Sequence, residues 1–156
     1  MAQTTRVADS AEERELVITR VFDAPRNLVF KAWTQPEHLA RWWGPQGFVN
    51  VAWEMDVRPG GVWFRRMRAP DGTLFTKRGV YREVVPPERL VFTYVNEAAD
   101  GTLDRETLVT LTFDEQGART RLTLQHTGFD SVESRDAHQG GWTSCLERFA
   151  EYLAAA

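Results

Sequence analysis

The chain has 156 residues, enough for one domain and too few for two ordinary ones. Hydrophobic residues make up 42% and charged residues 26%, which excludes disordered and fibrous classes. A formal net charge of -3 lacks the basic excess of a nucleic-acid binder, the one cysteine excludes an internal disulfide, and no apolar run approaches the roughly 20 residues of a membrane span.

Residues 1–14 are polar and aperiodic and read as a flexible N-terminal tail, without the apolar core of a signal peptide, so a reducing cytoplasm is the expected location. Leu16 to Phe22, LVITRVF, is β-branched and aromatic, a strand. Pro25 opens a short helix that carries Leu28, Val29, Ala32 and Trp33 at helical spacing. Thr34 and Glu37 have capping-box spacing for a second helix, which carries Leu39, Trp42 and Trp43 and ends at Gly44-Pro45.

The period then changes to two. Val49, Val51, Trp53, Met55 and Val57 alternate with polar or small residues, as in a half-buried strand. Turns at Pro59-Gly60-Gly61 and Pro70-Asp71-Gly72 bracket a strand from Val62 to Arg68. Strands at 73–84, 90–95, 107–113 and 119–126 follow, with Leu122, Leu124 and His126 on one face. The last segment returns to helical spacing. Asp130 to Glu133 offers a cap, and Trp142, Cys145, Leu146, Phe149 and Leu153 form one apolar stripe. Gly140-Gly141 marks a kink, a late helix start, or a close backbone approach.

The order of strand, two short helices, six strands and one long helix is α+β, with a seven-stranded antiparallel sheet that has one face to bury. Only the long C-terminal helix is left to cover that face. A curved sheet wrapped around one helix leaves a cavity on its concave side, which the two short helices close at one end.

Several stretches carry a specific resemblance. RVFDAPRNLVFKAWTQPEHLARWWGPQGF, the DVRPGG and APDG turns, GVYREVVPPERLVFTY and HQGGWTSCLERFAEYLA occur in order and resemble the activators of heat-shock-protein-90 ATPase homologues. That family lies within the START-like (SRPBCC) superfamily. The resemblance spans about residues 15 to 154 and implies a START-like domain over 15–156 with the helix-grip fold. It further implies a cytoplasmic, often bacterial protein with a hydrophobic cavity for an apolar small molecule, and it supplies no catalytic signature.

The residues themselves nominate a site. Trp43, Phe48, Trp53, Trp63, Phe92, Tyr94 and Trp142 are a set of rings suited to an apolar pocket. Arg65 shares a strand face with Trp63 and Met67, and if buried it needs a partner, either a carboxylate of the chain or one of a ligand. Tyr81 and Glu83 share a face with Gly79 and would be polar handles if that face is inward. His126 is expected inward, hydrogen-bonded at a strand end, and Cys145 is expected as an inert core thiol. His38, His126 and His138 fit no metal-ligand spacing, and no cofactor is expected.

Three functions compete. The leading one is non-enzymatic binding of an apolar or amphipathic small molecule by a carrier or sensor, as monomer or homodimer, with no nucleic-acid or membrane partner. The second is a protein-interaction module that uses an exposed Trp42–Trp43 patch. The third is a cyclase- or lyase-type enzyme, which requires an inward acid or base with a shifted pKa.

Overall fold

The period-2 stretches build one sheet. The computed structural model describes residues 14–155, so the tail expected at 1–14 lies, apart from Arg14, outside the described residues. The strands are β1 (Leu16–Phe22), β2 (Val49–Met55), β3 (Val62–Arg68), β4 (Leu74–Val85), β5 (Arg89–Glu97), β6 (Thr107–Gln116) and β7 (Arg119–Thr127). Their spatial order is β1-β7-β6-β5-β4-β3-β2, antiparallel throughout. Six strands run as a meander, and β1 joins its far end beside β7. β1 and β2 therefore lie at opposite edges, and helices α1 (Arg26–Thr34) and α2 (Pro36–Trp42) carry the chain from one edge to the other. Helix α3 (Val132–Ala155) covers the inner face. This is the helix-grip architecture.

Burial follows the alternation in most strands. Val109, Leu111 and Phe113 of β6 and Leu122, Leu124 and His126 of β7 are all buried, as are Trp63, Arg65 and Met67 of β3. Two bulges break the simple pattern. In β2 the pairing jumps from Asn50 opposite Met67 to Ala52 opposite Arg66, so Val51 is the extra residue. Val49 thus pairs with Arg68 and is exposed, while Trp53 pairs with Arg65. In β4, Tyr81 pairs with Phe92 and Glu83 with Val91, so Arg82 is extra. Tyr81 is buried, but Glu83 turns outward and bonds Arg89 at 3.0 Å. The two do not share an inner face.

Both helix caps differ from the sequence expectation. Thr34 spends its hydroxyl on the Phe30 carbonyl (2.9 Å), and Gln35 stands at the α2 cap without a side-chain bond. At α3 the cap is Ser131, whose Oγ accepts from the Ser134 amide at 3.1 Å. Helix α3 runs unbroken through Gly140-Gly141, and a Cβ at either position would meet no atom within 4 Å. Neither the kink nor the close approach is formed.

The two halves of α3 do different work. Phe149, Leu146 and Leu153 in the second half are buried in packed rings. Phe149 lies 4.3 Å from Trp42 and 4.9 Å from Phe22, centroid to centroid, and Trp42 lies 4.7 Å from Trp33. Ala137 and Gly141 in the first half are too small to reach the sheet.

Arg148 fastens α3 to the segment that leaves α2. Its Nη1 donates to the carbonyls of Trp43 (3.1 Å), Pro45 (3.3 Å) and Phe48 (2.8 Å), and its Nη2 to that of Arg41 (3.4 Å). Gly44 in this segment has φ of +97°, a backbone state that side chains with Cβ resist. Replacing Arg148 by Met keeps the aliphatic stem and removes a donor from four carbonyls, of which that of Trp43 keeps Asn50 and that of Pro45 keeps the Phe48 amide. The expected cost is about 1–3 kcal/mol, seen as a fall of several degrees in the thermal midpoint. An unchanged midpoint would show that the clasp contributes nothing.

Candidate functional site

Between the first half of α3 and the inner face of β3–β5 lies a cavity of about 240 Å³. Trp43, Met67, Tyr94, Trp142 and Cys145 form its floor and walls. Phe75 and Ala137, both exposed, flank its opening, where Phe48 stacks on Phe75 at 5.8 Å. Gly141 lines it, and the space beside its Cα belongs to the cavity. Polar members of the wall are Lys77 of β4, Tyr94 of β5 and His138 of α3.

The nominated residues separate by place. Trp43, Phe48, Tyr94 and Trp142 line the cavity. Trp63, Arg65, Tyr81 and Phe92 surround a gap of about 10 Å³, which is packed core with no room for a ligand. Trp53 shares the face of Arg65 by register, but β2 is an edge strand, and the indole is 41% exposed and lines no cavity. His126 stands one layer behind Trp142.

Arg65 is 2% exposed and has no carboxylate partner among the described residues. Its Nη1 donates to the carbonyls of Phe64 (2.8 Å) and Glu54 (3.2 Å). The guanidinium lies over the rings of both Trp43 and Trp63, 5.7 and 5.6 Å from their centroids. Burial lowers its pKa to about 10, which leaves it charged at neutral pH. Carbonyls and indole faces do here what a carboxylate was expected to do.

His126 is the centre of a directed hydrogen-bond chain. Trp142 Nε1–H donates to His126 Nδ1 at 3.0 Å. The Thr107 hydroxyl donates to the Tyr94 carbonyl at 2.8 Å, so its oxygen accepts from His126 Nε2–H at 2.7 Å. The Nε2–H tautomer follows from these partners. Burial, reinforced by His138 and Lys77, lowers the pKa of His126 to about 2, so the ring is neutral. The chain pins Trp142 and hence one cavity wall.

The groups at the cavity are pushed toward uncharged forms. Burial lowers His138, whose Nδ1–H donates to the Ser134 carbonyl at 2.8 Å. Burial raises the Tyr94 hydroxyl and pushes the Cys145 thiol up to about 12, so this cysteine is a poor nucleophile. Lys77 is lowered by burial to about 8, with Asp104 acting the other way. Its ammonium donates to Asn96 Oδ1 and lies 5.7 Å from the centroid of the Tyr94 ring.

Sequence reasoning passed over Phe75, Lys77 and His138 as site residues. One signal was present: of nineteen basic side chains only two, Lys31 and Lys77, are not arginine. A compact ammonium fits a small apolar wall that a guanidinium fork would fill.

A family model described as activator of Hsp90 ATPase homolog 1-like protein matches residues 23–154. Solved structures agree. The AHSA1 protein of Silicibacter pomeroyi is 28% identical, with a TM-score of 0.82 over 90% of this chain and 98% of its own. A Chromobacterium violaceum protein is 28% identical, with a TM-score of 0.80 over 88% and 95%. One from Arthrobacter aurescens is 25% identical, with a TM-score of 0.81 over 94% and 90%. The search of curated proteins gives no match. No helix of the described residues is long and apolar enough to cross a membrane.

The lowered pKa of His126 has a signed consequence. The unfolded imidazole binds a proton near 6.5 and the folded one near 2. Folded stability from this group is whole above about pH 6.5 and is lost as pH falls below it, by up to about 1.4 kcal/mol per pH unit. His138 acts in the same sense. His126→Gln retains a donor and an acceptor without the titration. Urea unfolding at intervals between about pH 7.5 and 4.5 should show a shallower acid slope for the variant. Equal slopes would refute the buried neutral imidazole.

Proposed function

Because the chain belongs to the activator of Hsp90 ATPase homolog 1-like family, and because its long helix stands off the sheet, we propose that it binds an apolar or amphipathic small molecule. The ligand lies between β3–β5 and the first half of α3, and the protein acts as a carrier or sensor without chemical turnover. The observation that carries this reading is the ring-lined cavity of about 240 Å³ that reaches solvent beside Phe75. Burial of ligand hydrocarbon, at about 25 cal/mol per Å², supplies most of the affinity. The size is informative. A cavity of about 150 Å³ accepts benzene, so this one suits a ligand of about ten heavy atoms.

The competing readings have less support. A protein-docking patch at Trp42 and Trp43 needs exposed indoles, and these are 0% and 4% exposed. A cyclase or lyase works through groups whose pKa values are driven apart. Here burial drives His138, Tyr94 and Cys145 alike toward neutrality, and no carboxylate lines the cavity among the described residues.

Naphthalene, a ten-carbon neutral probe, is expected to bind native protein and quench Trp fluorescence. Gly141→Leu projects a side chain into the cavity and removes a helix glycine that costs about 1 kcal/mol. The variant should bind the probe at least about tenfold more weakly while its thermal midpoint rises or holds. Absence of native binding, or full binding by a folded Gly141→Leu variant, would end the cavity reading.

A further inference from the structure

The inner face of the sheet carries more positive charge than it balances. Arg65 of β3 and Lys77 of β4 are register partners on that face. Arg65 is buried and held by carbonyls and indole rings in packed core. Lys77 is different, because its side chain is half-buried and lines the open cavity. It makes no ion pair among the described residues. Its one hydrogen-bond partner is Asn96 Oδ1, and Asn96 in turn donates from Nδ2 to Asp104 at 3.4 Å. The nearest acid is thus one amide away, and two of the three ammonium donors are left over.

A neutral ligand faces a penalty here. Filling the cavity with hydrocarbon strips water from the Lys77 ammonium and gives nothing in return. A ligand with an anionic end compensates the same charge with short, charge-assisted hydrogen bonds. One free ammonium balances one negative charge, which suits a carboxylate better than a phosphate dianion. Tyr94, whose ring lies under the ammonium and whose hydroxyl burial keeps protonated, lines the same cavity.

We propose that the ligand is a small amphipathic monocarboxylic acid of about ten heavy atoms, its hydrocarbon body against Trp43, Met67 and Trp142 and its carboxylate on Lys77. This rests on the binding reading above and narrows it to a chemical class. The charged and titratable groups that face Lys77 or lie near it are Arg65 from β3, Asp104 from the β5–β6 connection, Tyr94 from β5, His126 from β7, and His138 and Cys145 from α3. Of these, His126 and His138 are driven neutral by burial, so Lys77 is the group whose charge changes on the alkaline side.

The experiment is calorimetric titration with octanoate and with octanamide, its neutral counterpart, and with 3-phenylpropanoate and 3-phenylpropanamide as an aromatic pair. At about pH 6.5 the acids are ionised and Lys77 is charged. Octanoate should then bind at least about tenfold more tightly than octanamide, as a hydrogen bond to a charged group allows. Above about pH 8, octanoate affinity should fall by up to about tenfold per pH unit, while octanamide affinity holds or rises because the uncharged amine is cheaper to strip of water. Lys77→Met and Lys77→Gln should bring the acid-to-amide ratio close to one, and retained octanamide binding reports that the variants are folded. Octanoate and 3-phenylpropanoate differ in which body fits, and a preference for either over its amide supports the class. The proposal is overturned by an acid-to-amide ratio near one in the unaltered protein. It is equally overturned by a ratio that survives both substitutions, or by acid binding that is flat to about pH 9.5. Binding of octanamide without a gain for the acid removes the monocarboxylate inference alone. Failure of every probe removes the cavity reading with it.

Discussion

One helix must cover the concave face of a seven-stranded sheet, and the side chains along α3 change size half-way. Phe149, Leu146 and Leu153 reach the sheet and close the core with Phe22, Trp33 and Trp42. Ala137 and Gly141 do not reach it. Solid core and open cavity are consequences of one helix whose stripe runs from small to large. The packing there is rigid, because interiors at crystal-like density do not shift to fill a void.

Polar chemistry holds the hollow end open. The Trp142–His126–Thr107–Tyr94 chain ties α3, β7, β6 and β5 together, with a donor and an acceptor assigned at each step. Arg148 performs the matching task on the other side by binding four carbonyls around Gly44. His126, Thr107 and Arg148 stand behind the cavity wall, and they fix where Trp142, Trp43 and Phe48 stand in it.

Much of the architecture was legible in the residues. Alternation identified the strands, and the stripe from Trp142 to Leu153 identified the helix that grips them. The inward turn of His126 followed from its place after Leu122 and Leu124. The site was legible less well, for specific reasons. A bulge at Val51 rotates the start of β2, and an edge position exposes Trp53, neither of which periodicity encodes. A second bulge at Arg82 separates Tyr81 from Glu83. Arg65 and Trp63 do face inward, but depth along the sheet decides whether an inward residue meets core or cavity. That depth is set by α1 and α2, which fill the end of the sheet nearest Trp33. Lys77 escaped notice because the cavity it lines is shared with Gly141, sixty-four residues away in the chain.

The Val51 bulge also bears on the exposed edge of the sheet. β2 is the outermost strand on its side and carries Val49, Val51 and Trp53, all exposed. A flat margin of that composition would invite a stranger's backbone to zip alongside and seed fibrils. The extra residue throws the row of free amides and carbonyls out of step, and Asn50 anchors the beginning of the strand to the Ala40 and Trp43 carbonyls at 3.0 and 3.1 Å. The irregularity that turns the start of β2 thus interrupts the regular edge that such pairing needs.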